Sequence, residues 1–133
     1  MAAAGTGRTA IGRGAVLVVD DDPDMRLMMR WALEEEGLSV ATAGDGRAAL
    51  ARIAEQRPAL VVLDMSLPLV DGYGVAQGLR TAYGEDVPIV LVTADGRAAE
   101  KARRTGARAY LHKPFEVDDL VHAVSRILGE RPS

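Results

Sequence analysis

The stretch VLVVDDDPD, Val16 to Asp24, sets four apolar residues directly against four carboxylates in five positions. An apolar run with no polar alternation reads as a short strand buried on both faces. Pro23, placed after an aspartate, reads as the first helical position, with Asp22 as its N-cap. These residues are therefore a strand, a turn and a helix start, the opening of an alternating α/β chain. The acids between them need a reason. Two like charges about 4 Å apart repel by roughly 4 kcal/mol at an effective dielectric near 20. Such a run is tolerated where the carboxylates are solvated, cap a helix, or wait for a cation.

The same unit recurs along the chain. Apolar runs fall at AVLVVD (15–20), LSVATA (38–43), ALVVLD (59–64), PIVLVT (88–93) and AYLHK (109–113). Helical patterns lie between and after them. The first, Pro23 to Glu36, sets Met25, Met28, Met29, Ala32 and Leu33 on one face and ends at Gly37. The second runs from about Asp45 to Gln56, with Ala48, Ala49, Leu50, Ala51 and Ile53. A third starts at the Asp71 cap and carries Val75, Ala76 and Leu79; its Gly74 and Gly78 cost about 1 kcal/mol each relative to alanine. A fourth spans Ala98 to Arg104, and a fifth Val117 to Leu128. Strand and helix alternating in this way imply a parallel sheet covered on both faces.

Composition sets the bounds. A chain of 133 residues is long enough for one domain with a real core. Without cysteine it forms neither disulfides nor thiolate metal sites. Its first residues lack the apolar core of a signal peptide, and no run approaches the roughly 18 apolar residues of a membrane span. The expectation is a cytoplasmic protein without membrane contact. Residues 1–13, small and Gly-rich, read as a disordered leader. The net charge of −3 comes from 19 acids and 16 basic residues. Setting aside Asp20, Asp21, Asp22, Asp24 and Asp64 turns the balance slightly positive, so the acidity is local. No basic stripe argues for direct nucleic-acid binding.

In a doubly wound sheet, ligands bind outside the carboxyl ends of the strands. Strand one ends at Asp20 and Asp21, strand three at Asp64, strand four at Thr93, and strand five at Lys113 followed by Pro114. Three carboxylates, a hydroxyl and an ammonium on one rim form an inventory for a hard cation and a phosphate. Asp20, Asp21, Asp64 and Lys113 sum to a charge of −2, which one Mg²⁺ cancels. Phosphorylating Asp64 would leave about −1, because a dianion replaces a monoanion.

With VVDDDPD at the first strand, LDMSLPLVDGYG at the third, VTAD at the fourth and YLHKPF at the fifth, the sequence resembles the receiver domain of two-component response regulators. It is closest to the single-domain, chemotaxis-regulator-like type. The resemblance covers residues 14–130, with 131–133 as a tail. It implies a flavodoxin-like (βα)5 fold with a five-stranded parallel sheet in the order 2-1-3-4-5. It also implies that Asp64 is the phosphoacceptor, taking a phosphoryl group from a histidine kinase or phosphotransferase. Asp20, Asp21, Asp64 and the backbone carbonyl of Ser66 would hold Mg²⁺, for which Mn²⁺ can substitute, with Asp21 the more direct ligand and Asp20 acting partly through water. Thr93 and Lys113 would bind the phosphoryl group, and Tyr110 would change rotamer on activation. Lys113–Pro114 is where the family often has a cis peptide. The output would be a conformational change read by a partner protein. The resemblance implies a phosphorylatable switch that assists its own phosphorylation and dephosphorylation rather than an enzyme.

Two other readings compete with this one. A Mg²⁺-dependent phosphohydrolase with an aspartyl-phosphate intermediate needs a second aspartate two residues after the nucleophile, where Ser66 stands. A degenerate receiver acting only as an interaction module is disfavoured by the intact Asp20, Asp21, Asp64, Thr93 and Lys113 set. Asp22 reads as a cap and Asp24 as a helix-dipole acid rather than as ligands. Asp71 with Gly72 reads as a turn and cap. His112 and His122 take no phosphotransfer role.

Leu27 and Trp31, four apart and off the core face, read as a solvent-facing docking patch for the kinase or phosphotransferase. The segment from Thr93 to Lys113 is a couple of residues shorter than the family pattern, and its helix carries mostly alanine. The expectation is a short or mobile fourth helix, which weakens the case for a dimer through that helix, the fifth strand and the fifth helix. Ser66 and Asp95 stand where the family tunes access of the attacking water. The polar ending GERPS fits a linker stub as well as a natural terminus.

Overall fold

The computed structural model describes residues 14–65, 71–94 and 96–130. Five strands, β1 (Val16–Val19), β2 (Val40–Ala43), β3 (Leu60–Asp64), β4 (Ile89–Thr93) and β5 (Ala109–His112), alternate with five helices. The helices are α1 (Pro23–Glu35), α2 (Gly46–Glu55), α3 (Gly72–Tyr83), α4 (Ala98–Thr105) and α5 (Val117–Glu130). All strand pairings are parallel, in the order β2-β1-β3-β4-β5. The order reverses beside β1, so the ends of β1 and β3 open onto the crevice where such sheets bind ligands.

The uninterrupted apolar runs form the three central strands, and every residue of β1, β3 and β4 is buried. The edge strand β5 alternates between half-buried and exposed instead. Period-two alternation divides each central strand between two cores. Leu17, Val19, Val61, Leu63 and Leu91 pack under α2 and α3 with Ala49, Ile53, Val75 and Leu79. Val16, Val18, Val62, Val90 and Val92 pack under α1 and α5 with Met29, Leu33, Leu120, Val124 and Ile127. Truncating one of these leucines to alanine costs about 2–5 kcal/mol.

Local signals set the helix starts. The Asp22 carboxylate accepts the N–H of Asp24 at 3.0 Å and of Met25 at 3.4 Å, with Pro23 at the first helical position. Asp45 accepts from Ala48 and Asp71 from Gly74 in the same way. One reading of the first helix is corrected. Met28 is 37% exposed, whereas Met29 and Leu33 are buried. The seam facing the sheet runs 25, 29, 33, and Met28 is turned about 100° from Met29. Ala48 and Ala51 likewise face solvent on α2, where Ala49 and Ile53 supply the buried face.

Gly78, unfavourable for α3 on propensity alone, has a packing reason. A Cβ there would run into Leu50 Cδ2, so the glycine lets α3 lie close against α2. The fourth helix is short, as the sequence implied, with eight residues of which Ala98 and Thr105 are buried. Its C-terminus is fixed from α3, where the Arg80 guanidinium donates to the Thr105 carbonyl beside left-handed Gly106. No helix among the described residues is long and apolar enough to cross a membrane.

Candidate functional site

β1 and β3 run side by side with Val19 opposite Leu63, so their ends bring Asp20 and Asp64 to one place. Carboxylate oxygens of Asp20, Asp21 and Asp64 lie within 4.8 Å of one another. Asp20 and Asp64 are buried and Asp21 is exposed, so the cluster has a dry floor and a wet mouth. Lys113, just past the end of β5, reaches across the rim. Its Nζ lies 3.4 Å from Asp64 Oδ2 and 3.5 Å from Asp20 Oδ2. The Lys113–Pro114 peptide is cis.

Asp20 is held from two sides. Its Oδ1 accepts the N–H of Asp22 at 2.9 Å, and its backbone carbonyl accepts Arg26 Nη1 at 2.9 Å. Its Oδ2 is buried with no hydrogen-bond partner among the described residues and faces the Lys113 ammonium. Burial pushes the Asp20 carboxyl above its usual range; the Asp22 N–H and Lys113 oppose this, and the nearby Asp64 and Asp21 charges add to it. Burial also works against the Lys113 ammonium, but Asp20 and Asp64 outweigh it and hold its pKa above the ordinary lysine value.

Three carboxylates at this spacing, with an unpartnered buried oxygen on Asp20, fit a small hard cation that prefers a few carboxylates and keeps some of its water. A divalent ion cancels the −2 of the acids and Lys113 and gives Asp20 Oδ2 a positive partner. A cation held here would be able to polarise oxygens of a ligand and neutralise charge that develops on them.

Thr93, buried at the end of β4, holds the next position along the rim, and its Oγ1 accepts Lys101 Nζ of α4 at 3.4 Å. The structure thus brings Asp20, Asp21, Asp64, Thr93 and Lys113 together. Ser66 and Asp95 lie outside the described residues, as do the leader at 1–13 and the tail at 131–133. Tyr110 sits on β5 opposite Leu91 and is 47% exposed, in the outward position. Leu27 and Trp31 are 43% and 60% exposed on α1, with Met28 beside them, so the apolar patch is wider than the sequence suggested.

Two neighbours of the site went unread in the sequence. Arg26 lies in the early part of α1, where a cation opposes the helix dipole. That misfit was the available signal, and the compensation is its bond to the Asp20 carbonyl. Its guanidinium also lies so close to Gly44 that a Cβ there would come within 2.9 Å of it. Lys101 gave a different signal. It and Lys113 are the only lysines in a chain whose other basic side chains, the two histidines aside, are arginines.

Comparisons with known proteins point the same way. The family model described as response regulator receiver domain matches residues 16–125. The chain is 42% identical over 115 residues to the response regulator MprA of Mycolicibacterium vanbaalenii, covering 85% of this chain and 49% of that protein. It is 39% identical over 127 residues to the transcriptional regulatory protein PrrA of Mycobacterium tuberculosis, covering 94% of this chain and 54% of that protein. The chain thus spans about half the length of these curated relatives. Among solved structures, the receiver domain of NtrX from Brucella abortus superposes with a TM-score of 0.79 at 34% identity, covering 87% of this chain and 99% of that one. The chemotaxis protein CheY4 of Vibrio cholerae superposes with a TM-score of 0.77 at 30% identity, covering 86% and 98%.

Proposed function

Because the chain belongs to the response regulator receiver domain family, a family of signalling switches rather than enzymes, we propose that it is a phosphorylatable switch with Asp64 as the phosphoacceptor. The observation that carries this reading is the meeting of three carboxylates within 4.8 Å, with Lys113 Nζ 3.4 Å from Asp64. In the proposed reaction an Asp64 carboxylate oxygen attacks the phosphorus of a phosphohistidine on a histidine kinase or phosphotransferase. A P–O bond forms in line as the P–N bond breaks, and the imidazole nitrogen leaves with the electron pair.

Each residue has a share in this. Asp21, at the wet mouth, and the buried Asp20 and Asp64 would hold Mg²⁺. When bound there, Mg²⁺, or Mn²⁺ in its place, would lower the charge that the transferring group meets. Lys113 neutralises one phosphoryl oxygen and Thr93 donates its hydroxyl to another. Drawing Thr93 toward the phosphate opens space behind it for Tyr110, now outward, to turn inward. That two-state change is the output, read by a partner protein or by a further domain such as a full-length regulator would carry. Leu27, Met28 and Trp31 form the surface on which the phosphodonor docks. The setting we infer is the cytoplasm.

The test is incubation with acetyl phosphate and Mg²⁺ followed by mass spectrometry of the proteolysed chain. One added phosphate on the peptide carrying Asp64, absent in Asp64→Asn and absent when Mg²⁺ is chelated, is the expected result. Phosphate at another residue, or none, overturns the reading.

A further inference from the structure

The phosphorylated site is short of positive charge. With a divalent cation in place, Asp20, Asp21, Asp64 and Lys113 sum to zero, and replacing the Asp64 monoanion by a phosphoryl dianion leaves about −1. Thr93 carries no charge to offset it. Lys101 places a cation beside it, with Nζ 3.4 Å from Thr93 Oγ1.

Lys101 is the fourth residue of α4, and its side chain reaches back over the first turn of the helix to the end of β4. The direction of the bond matters. An ammonium has three donors and no acceptor, so it occupies a lone pair of the Thr93 oxygen. The hydroxyl proton is thereby turned away from Lys101. A hydroxyl that accepts from a cation is also polarised into a stronger donor. Thr93 is buried, which limits the other ways its hydroxyl can point.

The residue type supports a specific role. Both lysines of this chain lie at this rim, while the exposed basic positions Arg30, Arg47, Arg103 and Arg104 are arginine. An ammonium is a compact point charge on a flexible stem, whereas a guanidinium is a broad planar fork. A small cation suits a crowded place beside a buried hydroxyl.

We propose that Lys101 is a positioning residue for the phosphoryl group on Asp64, acting through the Thr93 hydroxyl and tying α4 to the phosphorylation state of the site. The proposal rests on Asp64 being the phosphoacceptor. When the phosphoryl group draws Thr93 inward, Lys101 follows its oxygen and brings α4 with it. The movement is taken up at the N-terminal end of this short helix, since Arg80 holds its C-terminus at the Thr105 carbonyl.

The experiment compares wild type, Lys101→Met and Lys101→Cys before and after alkylation with bromoethylamine. The chain has no cysteine of its own, so alkylation restores an ammonium at position 101 alone. Affinity for fluoroberyllate in the presence of Mg²⁺, a non-transferable phosphoryl mimic, is measured by calorimetry; Mg²⁺ affinity alone is measured in parallel. Loss of one charge-assisted hydrogen bond corresponds to about a tenfold loss in fluoroberyllate affinity for Lys101→Met. The same loss is expected for unalkylated Lys101→Cys, with recovery to within about threefold on alkylation and no fall in Mg²⁺ affinity. In a Thr93→Ala background, Lys101→Met should add less than about threefold, because its route to the phosphoryl group is gone.

Unchanged fluoroberyllate affinity overturns the proposal, and so does an additive loss in the Thr93→Ala background. A parallel fall in Mg²⁺ affinity overturns it as well, since that is what a general structural defect would give. Wild type that binds no fluoroberyllate and accepts no phosphate overturns both this proposal and the reading of Asp64. Wild type that does both while Lys101→Met matches it overturns this proposal only.

Discussion

Lys113 places its ammonium 3.5 Å from Asp20 Oδ2, a buried oxygen with no hydrogen-bond partner among the described residues. The pair is unequal. Lys113 also faces Asp64 at 3.4 Å and retains some solvent, whereas Asp20 is fully enclosed among acids. Burial and like charge win over the ion pair, because the Asp20 carboxyl is held above its usual range despite the lysine.

A stability prediction comes from this imbalance. A carboxyl whose folded pKa is raised contributes stability below the ordinary aspartate range and loses it as pH rises through the folded value. The metal-free protein at neutral pH therefore carries Asp20 as a cost. Asp20→Asn should stabilise it by about 1–2 kcal/mol and flatten the fall in stability with rising pH. Added Mg²⁺ should stabilise the wild type more than the variant. Urea unfolding in chelator and in Mg²⁺, from pH 4 to 8, measures all three effects. A less stable Asp20→Asn in chelator would show that the Lys113 pairing outweighs the burial.

Lys113→Met should split two properties that a simple loss of structure would move together. Without the ammonium the three acids present −3 to a cation, instead of the −2 they make together with Lys113, so Mg²⁺ affinity should rise about threefold to tenfold, screened by solvent at the mouth. Phosphorylation by acetyl phosphate should fall by at least about tenfold, since no cation meets the incoming oxygen. Calorimetry and phosphate incorporation read the two. A joint fall would mean that Lys113 mainly holds the acids in place.

How far the sequence could be read follows from what each residue depends on. The central strands were legible because Val16–Val19, Leu60–Asp64 and Ile89–Thr93 are buried on both faces and carry no polar alternation. The helix starts were legible because Asp22 and Asp71 act on backbone N–H groups two or three residues away. The rim followed from strand ends, which a parallel sheet brings together. Met28 was misplaced because a seam one residue wide in projection is finer than periodicity resolves. Arg26 and Lys101 were unread because each matters through a residue far from it in local geometry, the Asp20 carbonyl and the Thr93 hydroxyl, and only the folded backbone sets those distances.

Gly78 tests the same division between local and tertiary effects. Propensity favours alanine at this helix position by about 1 kcal/mol. Contact with Leu50 Cδ2 opposes it, since overpacking costs about 1–3 kcal/mol. Gly78→Ala should therefore destabilise by about 1 kcal/mol. In a Leu50→Ala background, where that contact is gone, the same change should stabilise. Urea unfolding of the four proteins closes the cycle. A stabilising Gly78→Ala in the wild-type background would mean that α2 and α3 yield at little cost.

Trp31 offers a test of docking that leaves the chemistry alone. The residue is 60% exposed on the outer face of α1 beside Leu27 and Met28, away from Met29 and Leu33 in the core. Removing an exposed side chain that supports no core contact should change stability by less than about 0.5 kcal/mol. The three side chains form an apolar patch on the helix that begins just after the acidic rim. A donor protein presenting a phosphohistidine to Asp64 must cover this region, and a tryptophan at the centre of such a contact contributes about 2 kcal/mol or more. Trp31→Ala should therefore slow phosphoryl transfer from the cognate histidine kinase by about tenfold or more at subsaturating concentrations. Phosphorylation by acetyl phosphate, which needs no docking surface, should be unchanged. Equal rates from the kinase for both proteins would remove α1 from the interface, whereas a fall in both reactions would place Trp31 in support of the site itself.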